Sequence, residues 1–241
     1  HETDLRLPIR MIKKNIEKDG ILKLFEKADC LIFRTKILMD KDLIDTFPNV
    51  KLIIRAGSGY DNIDLDHCYS KRIVFQNTPR ANSISAAEHT FSLIFASMKK
   101  LIQYDQLMRE GKWRGDSHYH DELFESTVAV IGYGRIGKKV VKGMKFFGVR
   151  KIYIYDPYMI NHQENMFVKD QREPSLNDNE SEISFIEKWE DLIKILPDCN
   201  IVTFHVPLWD TTYRMVDEEF IRNLKSDCII VNTSRGEIID E

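Results

Sequence analysis

A short apolar segment followed by a glycine-rich turn constrains the fold of this chain more than any other feature. Residues 128–131 are apolar, and Gly132, Gly134 and Gly137 then form a Gly-x-Gly-x-x-Gly motif that opens a helical pattern. In a strand–turn–helix unit, the first glycine permits the tight turn and the second lets the backbone approach a pyrophosphate. The third lets the helix lie close to the strand. The segment therefore predicts a dinucleotide-binding unit.

The residues after the motif agree with this prediction. The helix would begin near Arg135, where free N–H groups and the positive end of the helix dipole hold a pyrophosphate. Residues 151–155 predict a second strand, which ends at Asp156, 19 residues after Gly137. A carboxylate there accepts both hydroxyls of the adenosine ribose and repels a 2′-phosphate, which favours NAD over NADP. The alternative is a tight turn in a nucleotide-free α/β domain, which leaves this acid unexplained.

The composition limits the classes of protein to consider. Of 241 residues, 43% are hydrophobic and 30% charged, which is typical of one large soluble domain or two small ones. The net charge is −3 without a long basic segment, so we expect no nucleic-acid partner. No apolar segment approaches the length of roughly 20 residues that is needed to span a bilayer, and the first residues do not form a signal peptide. We therefore expect a cytoplasmic protein without a membrane partner. We expect reduced, buried thiols, because the cysteines are far apart, lie in apolar contexts and form no Cys-x-x-Cys pair; they are Cys30, Cys68, Cys199 and Cys228. We expect no metal site, because no histidine stands at ligand spacing from them.

Short apolar strands alternate with helices, which predicts parallel sheets. The predicted helices are residues 11–27, 40–47, 64–70, 138–147, 187–196 and 217–224. The further predicted strands are residues 30–33, 50–55, 72–75, 200–207 and 228–232. We interpret residues 112–125 as a surface connector and the polar residues 159–182 as a mobile loop.

A long helix is expected after Asn82. Ser85 and Glu88 have the spacing of a capping box, in which the two side chains satisfy free N–H groups at the start of a helix. The apolar face of this helix would consist of Phe91, Ile94, Phe95, Met98, Leu101 and Ile102.

Several polar residues follow predicted strands, where parallel sheets bind ligands. Arginines there suit a small anionic substrate, because a guanidinium donates two parallel hydrogen bonds to carboxylate or phosphate. The alternative to anion binding is a surface salt bridge for Arg235 and a structural ion pair for Arg55. For Arg34, a functional and a structural role are equally open. Ser58 lacks an acyl-transfer motif. His205 lies in an apolar strand before a proline, which favours a structural or cofactor-adjacent histidine over a proton carrier.

Six motifs occur in one order along the chain: residues 55–64, 77–79, 82–88, 132–137, 205–208 and 232–241. Together they resemble the D-isomer-specific 2-hydroxyacid dehydrogenases. Residues 82–88 most resemble the D-3-phosphoglycerate dehydrogenases of that family. The similarity runs from about residue 28 to the end. It implies an α/β fold of two doubly wound parallel-sheet domains. Residues 1–80 would be part of a flavodoxin-like substrate domain. Residues 81–241 would be a Rossmann-type NAD-binding domain, with the helix after Asn82 linking the domains and forming a homodimer.

The resemblance also implies roles for single residues that bind substrate. The backbone of Ser58 and Gly59 would hold the substrate carboxylate. Arg34 and Arg55 match positions that contact a substrate phosphate. Arg235 would act in catalysis, because it would bind the carboxylate and the carbonyl oxygen and polarise the carbonyl for hydride transfer.

A second group of residues would bind the cofactor. The resemblance assigns the pyrophosphate to Arg135 and Ile136, in the turn that Gly132, Gly134 and Gly137 shape. It assigns the ribose to Asp156. The nicotinamide side would be lined by Val206, Pro207 and Thr233.

The family's general acid/base is a histidine supported by a glutamate, and the resemblance puts both beyond Glu241. The family's first strand would precede the polar start of the chain. We therefore expect a fragment truncated at both ends that binds NAD weakly or not at all and turns over negligibly. General acid–base help is worth roughly 10²–10⁴-fold in rate.

Three hypotheses for function follow. The first is an NAD-dependent dehydrogenase of a D-2-hydroxy acid, with D-3-phosphoglycerate favoured, at the first step of serine biosynthesis. The second is a non-catalytic NAD-sensing scaffold that resembles the C-terminal binding protein co-repressors. The third is a dehydrogenase acting on glyoxylate, lactate or formate.

Overall fold

The computed structural model describes residues 27–34, 37–112, 121–158 and 181–241. These residues divide into two compact units on either side of the Thr78–Pro79 bond, each with its own parallel sheet. The predicted class, a parallel-sheet α/β protein with two sheets, is confirmed. The predicted helix at 11–27, most of the connector at 112–125 and nearly all of the loop at 159–182 lie outside the described residues.

The first unit has a three-stranded sheet in the order β1–β2–β3. Its core contains Ile44, Ile53 and Cys68, which are almost fully buried. Both helices start at an aspartate whose carboxylate accepts a hydrogen bond from a first-turn N–H group, as expected for an N-cap. The elements are β1 (Cys30–Phe33), α1 (Lys41–Asp45), β2 (Leu52–Arg55), α2 (Leu65–Ser70) and β3 (Val74–Asn77).

The second unit has a five-stranded sheet in the order β6–β5–β4–β7–β8. In chain order within the unit this is 3-2-1-4-5, the order of a dinucleotide-binding domain. All five residues of the central strand β4 are buried. The elements are α3 (Ser83–Met98), α4 (Leu101–Arg109), β4 (Thr127–Ile131), α5 (Arg135–Phe146), β5 (Lys151–Tyr155), β6 (Glu182–Ile186), α6 (Trp189–Ile195), β7 (Ile201–Phe204), α7 (Glu218–Arg222) and β8 (Ile229–Asn232).

The sequence did not predict strand β6, and the assignment of Glu182 to a polar loop was wrong. Glu182 pairs with Lys151 along β5, and their side chains form an ion pair of 2.8 Å. Only Ile186 of this strand is buried, because β6 is the edge of the sheet. An edge strand therefore carries little of the apolar pattern that identifies central strands.

Two predictions for the long helix were also wrong. The helix starts three residues earlier than the capping box implies: Asn82 is the N-cap, without a side-chain cap bond, and Ser85 lies inside the first turn. The helix then ends at Met98, and Lys100 adopts a left-handed conformation with φ 47°. Because this turn redirects the chain into α4, Leu101 and Ile102 do not continue the apolar face and are 52% and 79% exposed.

The cysteines are free thiols, but they are not uniformly buried as predicted. Cys68 and Cys199 are buried, Cys228 is half-buried and Cys30 is exposed. Cys30 begins a short strand and points away from the core that Leu31 enters. No helix among the described residues has the length and apolarity needed to span a bilayer.

Candidate functional site

In the glycine turn between β4 and α5, the close packing of the backbone requires a glycine at two positions, Gly132 and Gly137. Gly132 has a positive φ of 93°, and a Cβ there would lie 2.8 Å from the carbonyl oxygen of His205. A Cβ on Gly137 would overlap the carbonyl oxygen of Gly132. The turn, the helix and the end of β7 are therefore in direct backbone contact, and a side chain at either position would separate them.

Gly134 differs from its two neighbours in the motif. Its φ of −77° suits any residue, and a Cβ there would meet no protein atom within 4 Å. Nothing in the fold of the described residues requires a glycine at this position. The open space lies at the N-cap of α5, where the first helical N–H groups have no partner within the helix. A pyrophosphate fits this cradle, because backbone N–H groups and the helix dipole both favour an anion.

Asp156 follows β5 and lies beside the glycine turn. Its Oδ2 accepts a hydrogen bond of 2.9 Å from the backbone N–H of Tyr133, and its Oδ1 accepts one of 3.0 Å from the N–H of Tyr158. Each carboxylate oxygen can accept a further bond. The side chain is half-buried, so it can accept the hydroxyls of a ribose while the turn holds its orientation. The bond to Tyr133 joins residues 23 positions apart and could not be read from the sequence.

The segment after β7 lies against the same turn. The strand ends at Phe204, so the prediction that it continues to residue 207 was wrong. The backbone N–H of His205 donates to the carbonyl of Ile131, and its Nε2 lies 3.1 Å from the hydroxyl of Thr203. Its Nδ1 is buried without a hydrogen-bond partner. Burial lowers the pKa of this imidazole to about 4, so His205 is neutral at physiological pH.

Val206 and Pro207 extend from this point along the same edge of the sheet. Val206 is half-buried and packs against the core cluster that contains Phe204, while Pro207 is exposed. The carbonyl of Pro207 accepts a hydrogen bond of 2.6 Å from the hydroxyl of Thr212. The loop after β7 is therefore held by its own side chains.

Asn232 organises the turn after β8. Its Oδ1 accepts hydrogen bonds from the backbone N–H and the hydroxyl of Ser234, and its amide donates to the carbonyl of Arg235. Arg235 is half-buried, and its Nη1 donates to the carbonyl of Ser234. The sequence signal was an asparagine at a strand end, a residue that often bonds to backbone two residues on.

Thr233 connects this turn to α3. Its hydroxyl lies 2.9 Å from the hydroxyl of the fully buried Thr90. A cavity of about 420 Å³ lies between the first turns of α3 and the end of β8, and it is lined by Asn82, Ser85, Ala86, His89, Asn232 and Thr233. The second unit thus carries a concave surface, formed mainly by polar residues, next to the predicted nicotinamide side.

The remaining candidates belong to the first unit. Arg34 follows β1 and is exposed. Arg55 is only 9% exposed; its guanidinium packs against Gly57, and its Nε lies 3.4 Å from Oδ1 of Asn62. The carbonyl of Ser58 accepts a hydrogen bond of 2.8 Å from the amide of Asn77. These contacts fix the glycine turn at 57–59, and they give Arg55 a structural role within the unit.

Comparison with known proteins identifies relatives over most of the chain. Residues 91–241 match the family model of the D-isomer specific 2-hydroxyacid dehydrogenase, NAD binding domain. The hydroxypyruvate reductase of Thermotoga maritima is 31% identical over 97% of this chain and 69% of its own length. The D-3-phosphoglycerate dehydrogenase of Methanocaldococcus jannaschii is 33% identical over 95% of this chain and 40% of its own length.

Solved structures agree with these sequence relatives. The D-lactate dehydrogenase from Aquifex aeolicus, complexed with NAD and lactic acid, aligns with a TM-score of 0.75 at 28% identity, over 91% of this chain and 60% of that one. The NAD⁺-bound 3-phosphoglycerate dehydrogenase of Entamoeba histolytica aligns with a TM-score of 0.72 at 28% identity, over 95% and 63%. The chain spans about six tenths of the length of these two structures.

Proposed function

Because the chain belongs to the D-isomer specific 2-hydroxyacid dehydrogenase family, of which it carries the NAD-binding domain, we propose that it transfers hydride between a D-2-hydroxy acid and NAD. The observation that carries this proposal is the space at Gly134, which the fold leaves open at the start of α5 beside Asp156. A pyrophosphate in that space and a ribose on Asp156 account for both residues.

In this proposal the chain supplies binding and electrostatics. NAD held by the glycine turn and Asp156 would supply the hydride acceptor for C2 of the hydroxy acid, and the hydroxyl proton would pass to the general acid/base that the resemblance puts beyond Glu241. In the reverse direction NADH would supply the hydride and the same group the proton. Arg235 would hold the substrate carboxylate and draw electron density from the carbonyl oxygen, which stabilises the charge that develops there. Ser58 and Gly59 would donate backbone N–H groups to the carboxylate. Val206, Pro207 and Thr233 would keep water from the nicotinamide ring.

We propose D-3-phosphoglycerate as the substrate, which would make this the first enzyme of serine biosynthesis. Support comes from relatives named D-3-phosphoglycerate dehydrogenase at 30–33% identity and from the exposed Arg34. Arg55 supports the phosphate less, because its guanidinium is buried under the glycine turn. Relatives named hydroxypyruvate reductase and glyoxylate reductase share 31% and 30% identity, so the unphosphorylated acids are the alternative.

The variant Arg34→Gln tests the substrate in the protein as the cell makes it. A charged hydrogen bond to phosphate is worth about 1.5–3 kcal/mol, so KM for D-3-phosphoglycerate should rise about tenfold or more, with kcat little changed. KM for glyoxylate should not change. Lys51→Gln is the control. This exposed lysine precedes β2, so it lies at the amino ends of the parallel strands, whereas Arg34 follows the carboxyl end of β1. An unchanged KM for both substrates would favour an unphosphorylated acid, and no turnover of any acid would favour the NAD-sensing scaffold.

We also propose that the protein is a homodimer that pairs through the helices after Asn82. Support comes from four large apolar side chains on α3 and α4 that are at least half exposed, which are Ile84, Leu101, Ile102 and Met108. Leu101 and Ile102 are adjacent in the chain, and exposed apolar side chains that adjoin one another mark association surfaces more often than isolated ones do.

A further inference from the structure

A pair of threonine hydroxyls joins helix α3 to the turn after β8. Thr90 is fully buried in α3, and its Oγ1 lies 2.9 Å from the carbonyl oxygen of Ala86. The same Oγ1 lies 2.9 Å from the Oγ1 of Thr233. These three oxygens therefore form a short chain of hydrogen bonds that runs from the helix to the turn.

The chain of hydrogen bonds has one direction. A hydroxyl carries one proton and two lone pairs, whereas a carbonyl oxygen can only accept. Thr90 donates its proton to Ala86, as threonines in helices do to the carbonyl four residues before them, because otherwise two oxygens would meet at 2.9 Å with no proton between them. The bond between the two hydroxyls then needs the proton of Thr233. Thr233 is left with lone pairs alone, so it can only accept from a ligand.

Thr233 lines the cavity of about 420 Å³ at the carboxyl end of β8. In the sheet, β8 is two strands away from β4, which is about 10 Å. Asp156 lies on the other side of β4, because it follows β5. A dinucleotide with its pyrophosphate at the glycine turn and its adenosine ribose on Asp156 therefore extends its nicotinamide half towards β8, where the lone pairs of Thr233 are available to it.

We propose that Thr90 is a positioning residue that commits the Thr233 hydroxyl to accept a hydrogen bond from the carboxamide NH₂ of the nicotinamide. The inference rests on the proposed function, in which this edge of the sheet binds the cofactor. A lone pair suits the amide nitrogen, which carries two protons, and repels a carboxylate, which carries none. The hydroxyl pair therefore discriminates NAD from nicotinic acid adenine dinucleotide, in which a carboxylate replaces the carboxamide.

The selectivity depends on Thr90 although Thr90 is buried behind Thr233. A Thr233 hydroxyl without this partner can turn its proton towards a ligand and donate to a carboxylate as well as accept from an amide. Thr90 thus determines which of the two groups Thr233 recognises, without touching the cofactor itself.

Calorimetric titration of the protein as the cell makes it with both dinucleotides and with ADP-ribose tests this inference. The unaltered protein should bind NAD at least about tenfold more tightly than nicotinic acid adenine dinucleotide. That ratio should fall to about threefold or less in Thr233→Val and in Thr90→Val, whereas Thr90→Ser, which keeps the hydroxyl, should retain it. ADP-ribose lacks the nicotinamide, so its affinity should be the same in every variant.

Ser92→Ala is the matched control on the same helix. The Ser92 hydroxyl also donates to a carbonyl four residues before it, that of Glu88, but Ser92 is exposed. Its loss should leave the ratio of the two affinities unchanged. A ratio that falls equally in Ser92→Ala would show that any such bond in α3 has this effect, and would overturn the role of Thr90.

The outcomes separate this inference from the proposed function. If the unaltered protein binds neither NAD nor ADP-ribose, the proposed function is overturned, and this inference with it. If it binds both ligands and the ratio survives in Thr90→Val and Thr233→Val, the inference alone is overturned. The same holds if the affinity for ADP-ribose falls together with that for NAD, because the hydroxyls would then support the whole site. Circular dichroism shows whether each variant folds, and Thr90→Ala replaces Thr90→Val if the latter does not.

Discussion

Alanine substitutions at Gly134 and Gly137 should affect different properties: the first should weaken NAD binding, and the second should lower the free energy of unfolding. In Gly134→Ala the methyl group enters open space at a φ of −77°, so the free energy of unfolding should fall by no more than about 1 kcal/mol. The same methyl group should obstruct a pyrophosphate and weaken NAD binding at least tenfold. In Gly137→Ala it overlaps the carbonyl oxygen of Gly132, which should destabilise the protein by about 1–3 kcal/mol.

Urea unfolding and NAD titration of both variants measure these two effects separately. Gly143→Ala serves as a control for packing alone. A Cβ there would overlap the ring of Phe91, and neither residue belongs to the glycine turn at 132–137. A Gly134→Ala variant with unchanged NAD affinity would mean that the pyrophosphate does not use this space.

His205 makes the stability of the second unit depend on pH. Burial lowers its folded-state pKa from 6.5 to about 4, so between these pH values the unfolded chain binds a proton that the folded protein does not. This contribution to stability is complete above pH 6.5 and is lost as the pH falls towards 4. The loss is at most about 3 kcal/mol, from 1.36 kcal/mol per pKa unit.

The variant His205→Asn isolates this effect, because its side chain does not titrate. No tryptophan lies before residue 79, and Trp189 and Trp209 lie in the described part of the second unit, so tryptophan fluorescence follows the unfolding of that unit in urea. The difference in unfolding free energy between the original protein and the variant should shrink as the pH falls from about 7 to 4, since other groups titrate equally in both. A constant difference would show that His205 is not buried in its neutral form.

At the scale of elements, what could be predicted depended on how completely each element is buried. The segments that became β4 and β5 were predicted correctly, because nine of their ten residues are buried and give a continuous apolar pattern. Strand β6 was missed because an edge strand buries one face at most. The start of α3 was misplaced because Asn82 provides no side-chain cap bond, whereas Ser85 and Glu88 match a capping pattern that the backbone does not use.

The break between α3 and α4 exposes the side chains on which the proposed dimer depends. Ile102 is 79% exposed, so Ile102→Asp should leave the free energy of unfolding of the monomer within about 0.5 kcal/mol. If Ile102 lies in the interface, a buried charge there should shift the protein from dimer to monomer. Light scattering coupled to size-exclusion chromatography measures the mass. Ile221→Asp is the matched control, since Ile221 is exposed on α7, and an unchanged dimer in both variants would place the interface elsewhere.

At the scale of the molecule, the sequence identified which residues stand at strand ends but not how they are held. Strand ends follow from the apolar pattern, and the order of the sheet then brings the loops after β4, β5 and β7 to one edge. The bond from Tyr133 to Asp156 and the bond between Thr90 and Thr233 join residues 23 and 143 positions apart. Such contacts depend on the packing of whole elements, for which no local pattern exists.

Residues 79–241 should fold without the first unit and bind ADP-ribose about as tightly as the longer protein does. Each of the three core clusters among the described residues stays within one unit: two lie entirely after residue 86, and the third lies entirely before residue 76. The glycine turn and Asp156 are both in the second unit. The isolated segment should therefore show one cooperative urea transition and bind ADP-ribose within about threefold of the longer protein, because no ligand contact proposed for that half is lost. An isolated segment that remains unfolded would mean that the first unit completes its core.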